Sequence, residues 1–378
     1  MRPGLTNAQM LSPMSVGARV NIIFGDRTIA TDIPVKELVL DCSDSRTVSL
    51  QVTYKAPASM TPREYSDPLN NYGQRSEVFM VYLTQDGVEH ALALGTFIHV
   101  GWSADDAVVT VTANDMTQAC EDNPMPWPSS PPAGATLMTE MKRLAGPGVP
   151  VILDEGVRDV LVSRKSQWGS SRLEAMSQLA VTHSVGYRSG PDGYLHIYPL
   201  TDASEHKMTY RFGELLLASD KTDSSTNGAD SRIPNQWVGV GTVTTKRTVT
   251  TTKKLSSGKI EKTTKDVTEE HKATKILSHD SGPYDHRTYG WKVKRVEVSS
   301  AESDKAVFDA AQKQMMEDTA TTNARTLTVV PDGRVEAGDI VSVRDEQGSI
   351  YAGRVRAYSL PVSDPGATMR IDIDVLEV

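Results

Sequence analysis

Between Val296 and Val343 the spacing of hydrophobic positions changes twice. Val307, Phe308, Ala311 and Met315 recur at intervals of three and four, with Lys305, Asp309, Lys313 and Glu317 between them, which predicts a helix with one apolar face. Ser299 followed by Glu302 has the spacing of a capping box, and Asp304 adds negative charge near the first turn, so the helix is expected to begin near Ser300. It is expected to run out over Thr319–Asn323, where polar and β-branched residues accumulate. The period then becomes two: Thr326–Val330 and Asp339–Val343 predict strands, with a turn at Pro331-Asp332-Gly333 and a second strand opening at Gly338-Asp339.

Earlier in the chain the pattern is dominated by short alternating runs. Arg19–Val52 holds several, separated by Asp, Ser and Gly turns, as in a small antiparallel sheet or barrel. A polar loop, Tyr65–Gly73, precedes strands over Glu77–Leu83 and His90–Val100 that join around Asp86-Gly87. Cys120–Gly134 contains five prolines in fifteen residues, which excludes a helix or inner strand and predicts a linker. Beyond it come a short helix over Ala135–Leu144, a strand over Val149–Leu153 and a second helix capped by Ser171 and Glu174. That helix has an apolar stripe of Leu173, Met176, Leu179 and Ala180. Val185–Arg188 and Tyr194–Tyr198 form a hairpin across Ser189–Gly193. The chain returns to strand at Arg232–Gly241 and again at Trp291–Val298. It closes on Met369–Val375, whose strict alternation turns its carboxylates outward. Gly239 and Gly241 lie inside a strand pattern with no helix after them, so they are not a dinucleotide fingerprint.

Thr242–Lys275 stands apart. Two threonine-rich runs of high β propensity and little apolar character flank Ser256-Ser257-Gly258-Lys259, which predicts a protruding β-arm over 242–276 with its tip there. The stretch holds nine Lys and Arg against four Asp and Glu. Lys246, Arg247, Lys253, Lys254, Lys259, Lys262 and Lys265 are the candidate contact residues. A solvated arm, a clasp on a neighbouring subunit and a nucleic-acid or cell-wall contact are the options, and contact with a neighbouring protein is favoured. Without aromatic side chains for base stacking, nucleic acid is the weaker option, and a charged hairpin resists edge-to-edge aggregation.

Composition narrows the chemistry. A chain of 378 residues suffices for several domains with cores of their own. Its two cysteines, Cys42 and Cys120, lack metal or disulfide spacing. The net charge of −8 argues against nucleic acid as a principal partner, although an acidic wall lets DNA slide past. The N-terminal residues lack the pattern of a signal peptide and no apolar run is long enough to span a membrane, so no membrane insertion is expected. No GxSxG or HExxH motif occurs and the eight histidines are scattered, so no catalytic, cofactor-binding or metal-binding residue is assigned. Asp372 and Asp374 share a strand face, which is expected to be a solvated one.

Several of these motifs, taken in order, resemble the tail hub or minor tail proteins of long-tailed phages, relatives of the baseplate hub and late control proteins of contractile tails. The C-terminal match is the helix, the Thr/Val strand and PDGRVEAGDIVSVRD followed by YAGRVRAYSLPV. The N-terminal match is SDPLNNYG before a strand, then Leu94-Gly95-Thr96-Phe97, and it points to phages of actinobacteria. The resemblance covers Arg19–Met116, Ala135–Pro199 and Ile233–Val378 without the arm. It implies a mainly β fold with an α+β insertion, in which two tail-tube-like β-barrel domains per chain form a pseudo-sixfold ring in a homotrimer. The expected domains are an N-terminal barrel (1–120), a Pro-rich linker (121–134), a small α/β domain (135–204) and a C-terminal barrel (205–378) that carries the helix (300–320) and the arm. The implied role is structural. The ring adapts a sixfold tube to a threefold tip around the DNA channel, in a virion tail assembled in the host cytoplasm, and is not an enzyme. Implied partners are the distal tail protein, the tape-measure protein and tail fibre or tip proteins. The hub of a DNA-free contractile injection particle and a tail-borne cell-wall hydrolase are the alternatives.

Overall fold

The computed structural model describes residues 1–378 except 44–45, 184, 200–207, 222–233, 255–259, 279–284, 302–303, 321–323, 365 and 377–378. Its first strands are β1 (Met14–Phe24), β2 (Arg27–Ala30), β3 (Glu37–Cys42), β4 (Leu50–Pro57), β5 (Gln74–Thr84), β6 (Glu89–Ala104) and β7 (Val108–Asp115). The middle of the chain supplies β8 (Val151–Leu153), β9 (Val185–Ser189), β10 (Leu195–Pro199), β11 (Met208–Arg211), β12 (Leu216–Lys221), β13 (Gln236–Lys254), β14 (Ile260–Ser278) and β15 (Val293–Ala301). The last strands are β16 (Ala324–Val329), β17 (Ile340–Arg344), β18 (Ile350–Pro361) and β19 (Met369–Leu376). The helices are α1 (Asn7–Met10), α2 (Gln118–Glu121), α3 (Leu137–Ala145), α4 (Arg172–Thr182), α5 (His286–Tyr289) and α6 (Asp304–Ala320). By internal contacts the chain divides into one unit of Met1–Lys221 with Arg325–Val378 and a second of Thr222–Ala324.

The first unit is built on a 13-stranded sheet in the order β12-β16-β19-β18-β3-β4-β7-β6-β5-β1-β2, with β17 beside β18 and β11 beside β17. β11 pairs with β17 in parallel, whereas β1–β2, β1–β5, β3–β4, β3–β18, β4–β7, β5–β6, β6–β7, β12–β16, β17–β18 and β18–β19 pair antiparallel. In β4 the residues Leu50, Val52, Tyr54 and Ala56 are buried while their neighbours are half-buried, the period-two pattern of a sheet with one inner face. The two ends of the chain are joined by β3 and β18, where Tyr358 pairs with Cys42 and Leu360 with Leu40. One hydrophobic core follows, running from Val20 and Tyr54 through Met80 and Val111 to Leu327, Val343 and Ile373.

The loop before β5 is fixed to this sheet by buried polar groups. His99 on β6 donates from Nδ1 to the Asn70 carbonyl at 2.7 Å, so its Nε2 accepts from the Ser76 hydroxyl at 2.7 Å, which is in turn 2.9 Å from the Tyr54 hydroxyl. Burial pulls the His99 pKa down to about 4, with the Asn70 carbonyl opposing it, so the ring is neutral.

A small lobe within the same unit sets α3 and α4 against the three-stranded sheet β8-β10-β9, and the buried stripe of α4 is Leu173, Met176, Leu179 and Ala180. The proline-rich stretch is built into this lobe. Met125 is buried and donates its N–H to Ser170, and Ser129 pairs with Trp168. Ser171 caps α4 by accepting from the Glu174 N–H, but only half of the expected box forms, because the Glu174 carboxylate accepts from Gln178. Glu140 on α3 is wholly buried, and its carboxylate takes the Trp168 indole N–H at 2.7 Å and a forked contact from Arg143.

The lobe meets the sheet at a charged joint on the loop between β16 and β17. Asp332 binds Arg334 through both carboxylate oxygens at 2.8 and 2.7 Å, and Arg334 also donates to the Leu5 carbonyl. Arg2 donates to the carbonyls of Gly333 and Val335. Arg188 on β9 lies 3.1 Å from Glu336 and 3.5 Å from Asp339, and the Met1 ammonium lies 2.8 and 2.7 Å from the same two carboxylates. Burial alone would raise the Glu336 pKa; Arg2, Arg188 and the ammonium outweigh it and hold the carboxyl below its ordinary value. Gly333 admits Leu92 and Met80, whose atoms would stand 2.9 Å from a side-chain carbon placed there.

In the second unit β14, β13 and β15 form a sheet in that order, and α6 lies on the face carrying Trp237, Val243 and Ala273. Gly239 and Gly241 explain the closeness of that contact: a side-chain carbon at Gly239 would stand 2.7 Å from the Val307 carbonyl oxygen, and one at Gly241 would stand 2.9 Å from Val307 Cγ2. Two sequence expectations for the helix are corrected here. Ser299 and Ser300 remain in β15, whose pairing with β13 continues to Ala301, so α6 starts at Asp304 and not near Ser300; Glu302 lies outside the described residues. Val307 and Ala311 are buried, but Phe308 is 37% exposed, because one residue further along the helix turns it off the contact stripe.

Replacing Gly239 by Val is expected to weaken the second unit by about 2 kcal/mol through overpacking against α6. Amide exchange in β13 and α6 should rise by more than tenfold, whereas Gly17→Ala, which meets nothing within 4 Å, should leave exchange in β1 unchanged. Because the His99 pKa lies near 4 in the fold and an ordinary histidine titrates at about 6.5, its contribution is present above about 6.5 and lost as pH falls toward 4. Urea unfolding across that range should show a loss of about 3 kcal/mol that shrinks in His99→Gln.

Candidate functional site

Three features of the structure bear on what the chain can contact. The first is the long hairpin of β13 and β14, two strands of 19 residues each and so about 60 Å long. They pair without a break from Gln236 with Ser278 to Lys254 with Ile260. Strand β15 accompanies them only as far as Val243. Beyond that point the two strands pair with each other alone among the described residues. Lys246, Arg247, Lys253 and Lys254 fall on β13, and Lys262 and Lys265 on β14; Lys259 and the rest of the expected tip lie outside the described residues. The register opposes Thr252 to Lys262, Lys253 to Glu261 and Val249 to Lys265. Lys246, Lys254 and Lys262 therefore take positions of one parity and Arg247, Lys253 and Lys265 the other, so the backbone distributes these six residues between two faces.

The second feature is the loop Arg63–Gly73, which the sequence marked only as a motif. Buried Gln74 holds it from beneath, donating to the carbonyls of Tyr65 and Asp67 and accepting from the Tyr72 N–H. The Asp67 carboxylate accepts from the N–H groups of Arg63 and Glu64, and these bonds lower its pKa. Leu69 is fully buried, and Asn70 accepts from the Trp102 indole. The outcome is a loop of fixed shape that presents Tyr65 and Tyr72, 68% and 69% exposed. Nothing in the pattern of hydrophobic positions marked those two rings out, since an isolated aromatic in a polar loop has no period. Their signal was the surrounding Asp, Asn and Gln, residues that build turns through their side chains.

The third feature is the strand-face pair Asp372 and Asp374. Asp372 accepts from the Thr326 hydroxyl at 2.7 Å and from Arg370 at 3.1 Å, and Asp374 lies 3.8 Å from Arg356. These carboxylates are engaged within their own sheet, by Thr326 on β16, Arg356 on β18 and Arg370 on β19 itself. Among the described residues no three His, Cys, Asp or Glu side chains are grouped so as to hold a metal ion, and no helix is long and apolar enough to cross a membrane.

No protein-family profile matches the chain. No curated protein matches it in sequence. Solved structures do match its fold. A tail protein from Neisseria meningitidis aligns with a TM-score of 0.65 at 13% identity, over 96% of this chain and 97% of that one. A 43 kDa tail protein of a Shewanella oneidensis prophage aligns at 0.59 and 15% identity, over 94% and 98%. A prophage tail protein from Listeria monocytogenes aligns at 0.53 and 12% identity, over 95% and 94%. A mainly β chain with a large antiparallel sheet, a small α/β lobe and a helix-backed hairpin unit thus has the fold of phage tail proteins.

Proposed function

We propose that the chain is a structural hub protein at the distal end of a phage tail. The observation that carries this is the extent of the likeness: the alignments with three tail proteins run over 94–96% of this chain and 94–98% of theirs, so the resemblance lies in the whole architecture and not in one common domain. In this reading strands β1–β7 supply one tube-like domain, and β11, β12 and β16–β19 supply the other. Three chains then present six such domains to a sixfold tube and three copies of everything else to the tip. The ring surrounds the DNA channel, and the net charge of −8 favours a wall along which DNA passes without adhering. The partners are two further copies of the chain, the distal tail and tape-measure proteins, and the fibre or tip proteins. The SDPLNNYG loop and the LGTF strand are the grounds for placing it in a long-tailed phage of an actinobacterium. The basic hairpin, with Lys246, Arg247, Lys253, Lys254, Lys259, Lys262 and Lys265, is the arm that grips a neighbouring protein.

Light scattering of the purified chain should give three times the mass of 41.1 kDa, with rings in negative stain. A monomer that also fails to form rings when mixed with the other tail proteins would overturn the hub reading. Replacing Thr245–Glu269 by Asn-Gly joins Thr244 to Glu270 through a tight turn and leaves Trp237, Val243, Ala273 and Val307 in place. That variant is expected to keep the fold of the second unit but to lose most tail assembly; normal tails would remove the arm from the contact.

A further inference from the structure

The small sheet β8-β10-β9 holds a histidine between two carboxylates. His196 on β10 has Nδ1 2.6 Å from Asp154 Oδ1, and its Nε2 is 3.1 Å from each carboxylate oxygen of Asp192. The topology explains the convergence. Strand β8 runs parallel to β10 and pairs Ile152 with His196, so its exit delivers Asp154 to one side of the ring. The turn from β9 to β10 folds Asp192 back over the other side. A side-chain carbon at Gly190 would stand 2.5 Å from His196 Cδ2 and 2.7 Å from Asp192 Oδ1, so only glycine leaves room for the ring.

An ionised carboxylate accepts hydrogen bonds and cannot donate them. A neutral imidazole has one N–H, so one of its nitrogens would direct a lone pair at a carboxylate; the doubly protonated ring alone satisfies both contacts. The other groups on this face are Arg188, opposite His196 on β9, and Tyr198, two residues along β10. Arg188 is engaged by Glu336 and Asp339 and lies over the Tyr198 ring, so the charge facing His196 is that of Asp154 and Asp192. Burial lowers the His196 pKa, but the hydrogen bonds and charges of the two aspartates outweigh it and hold the value above that of an ordinary histidine.

We propose that Asp154, His196 and Asp192 form a proton-controlled latch, in which the imidazolium fastens the turn at Gly190–Gly193 to the exit of β8 and its loss of a proton to solvent frees that turn. Asp192 is the partner released, because its contact is longer and its side chain is 50% exposed against 27% for Asp154. The main sheet feels the release: a side-chain carbon at Gly193 would be 3.7 Å from Thr96 Oγ1 on β6, so the turn abuts that strand. A raised pKa makes the latch fully closed below the unfolded-state value of histidine and opens it as pH rises through the folded value. The latch stands on this geometry and is independent of the tail reading.

The test uses the full chain. Histidine C2-hydrogen exchange reports the titration of His196, and amide exchange at Gly190, Gly193 and Tyr194 reports the turn, from about pH 5.5 to about pH 8.5. After correction for intrinsic rates, protection of these amides should fall about tenfold across the titration. In Asp192→Asn the side-chain amide can face either form of the ring, so protection should no longer follow pH and the His196 titration should move down. Protection that is equal on both sides of the titration in the native chain, or pH dependence that persists unchanged in Asp192→Asn, would overturn the latch.

Discussion

The charged joint around the loop from Asp332 to Asp339 is the constraint on which the first unit depends. Four cationic groups, the Met1 ammonium, Arg2, Arg188 and Arg334, meet three carboxylates, those of Asp332, Glu336 and Asp339. All three carboxylates are buried, where an ion without a partner is costly. Such a cluster adds little net stability over a well-packed apolar one, but it tolerates only one arrangement, since displacing any member leaves another charge uncompensated at about 3–5 kcal/mol. It therefore fixes where the β16–β17 loop sits on the first strands and how the α/β lobe attaches through β9.

The polar groups of this chain are invested in joints. Glu140 with Trp168 and Arg143 ties the small lobe together, His99 and Gln74 pin the tyrosine-bearing loop, and Asp372 is held by Thr326 and Arg370. These networks hold the surface loops, as well as the core, in one shape. In the second unit the same purpose is met by glycines, which let a helix lie close against the sheet without an intervening layer of side chains.

Much of this architecture could be read from the order of residues. The alternating runs within Arg19–Val52 and over Met369–Val375, and the strand expected over Glu77–Leu83, lie on strands whose inner faces are buried, and the stripe from Leu173 to Ala180 marks the buried side of α4. What was not legible was long-range. The pairing of β3 with β18 leaves no local trace, because both strands carry ordinary alternation. Arg188 and Glu336 look like surface charges until the fold brings them together. His99 and His196 were merely scattered histidines, since Ser76 lies far from the one and Asp154, which completes the pair of carboxylates with Asp192, lies far from the other. The start of α6 was misplaced because the cap-like Ser299 sits where strand pairing continues, and a ladder of backbone bonds prevails over a local capping preference.

The pairing of β3 with β18 also governs how the chain comes into being. The partner edge of β3 belongs to residues synthesised roughly 300 positions later, so the ribosome must deliver the α/β lobe and the whole second unit before the sheet can be completed. At about 5–20 residues per second that is a wait of about 15–60 s, with a hydrophobic edge exposed throughout. The nascent first half is then open to wrong partners for as long as its own last strands are missing, and the chain becomes itself only when its end returns to its beginning.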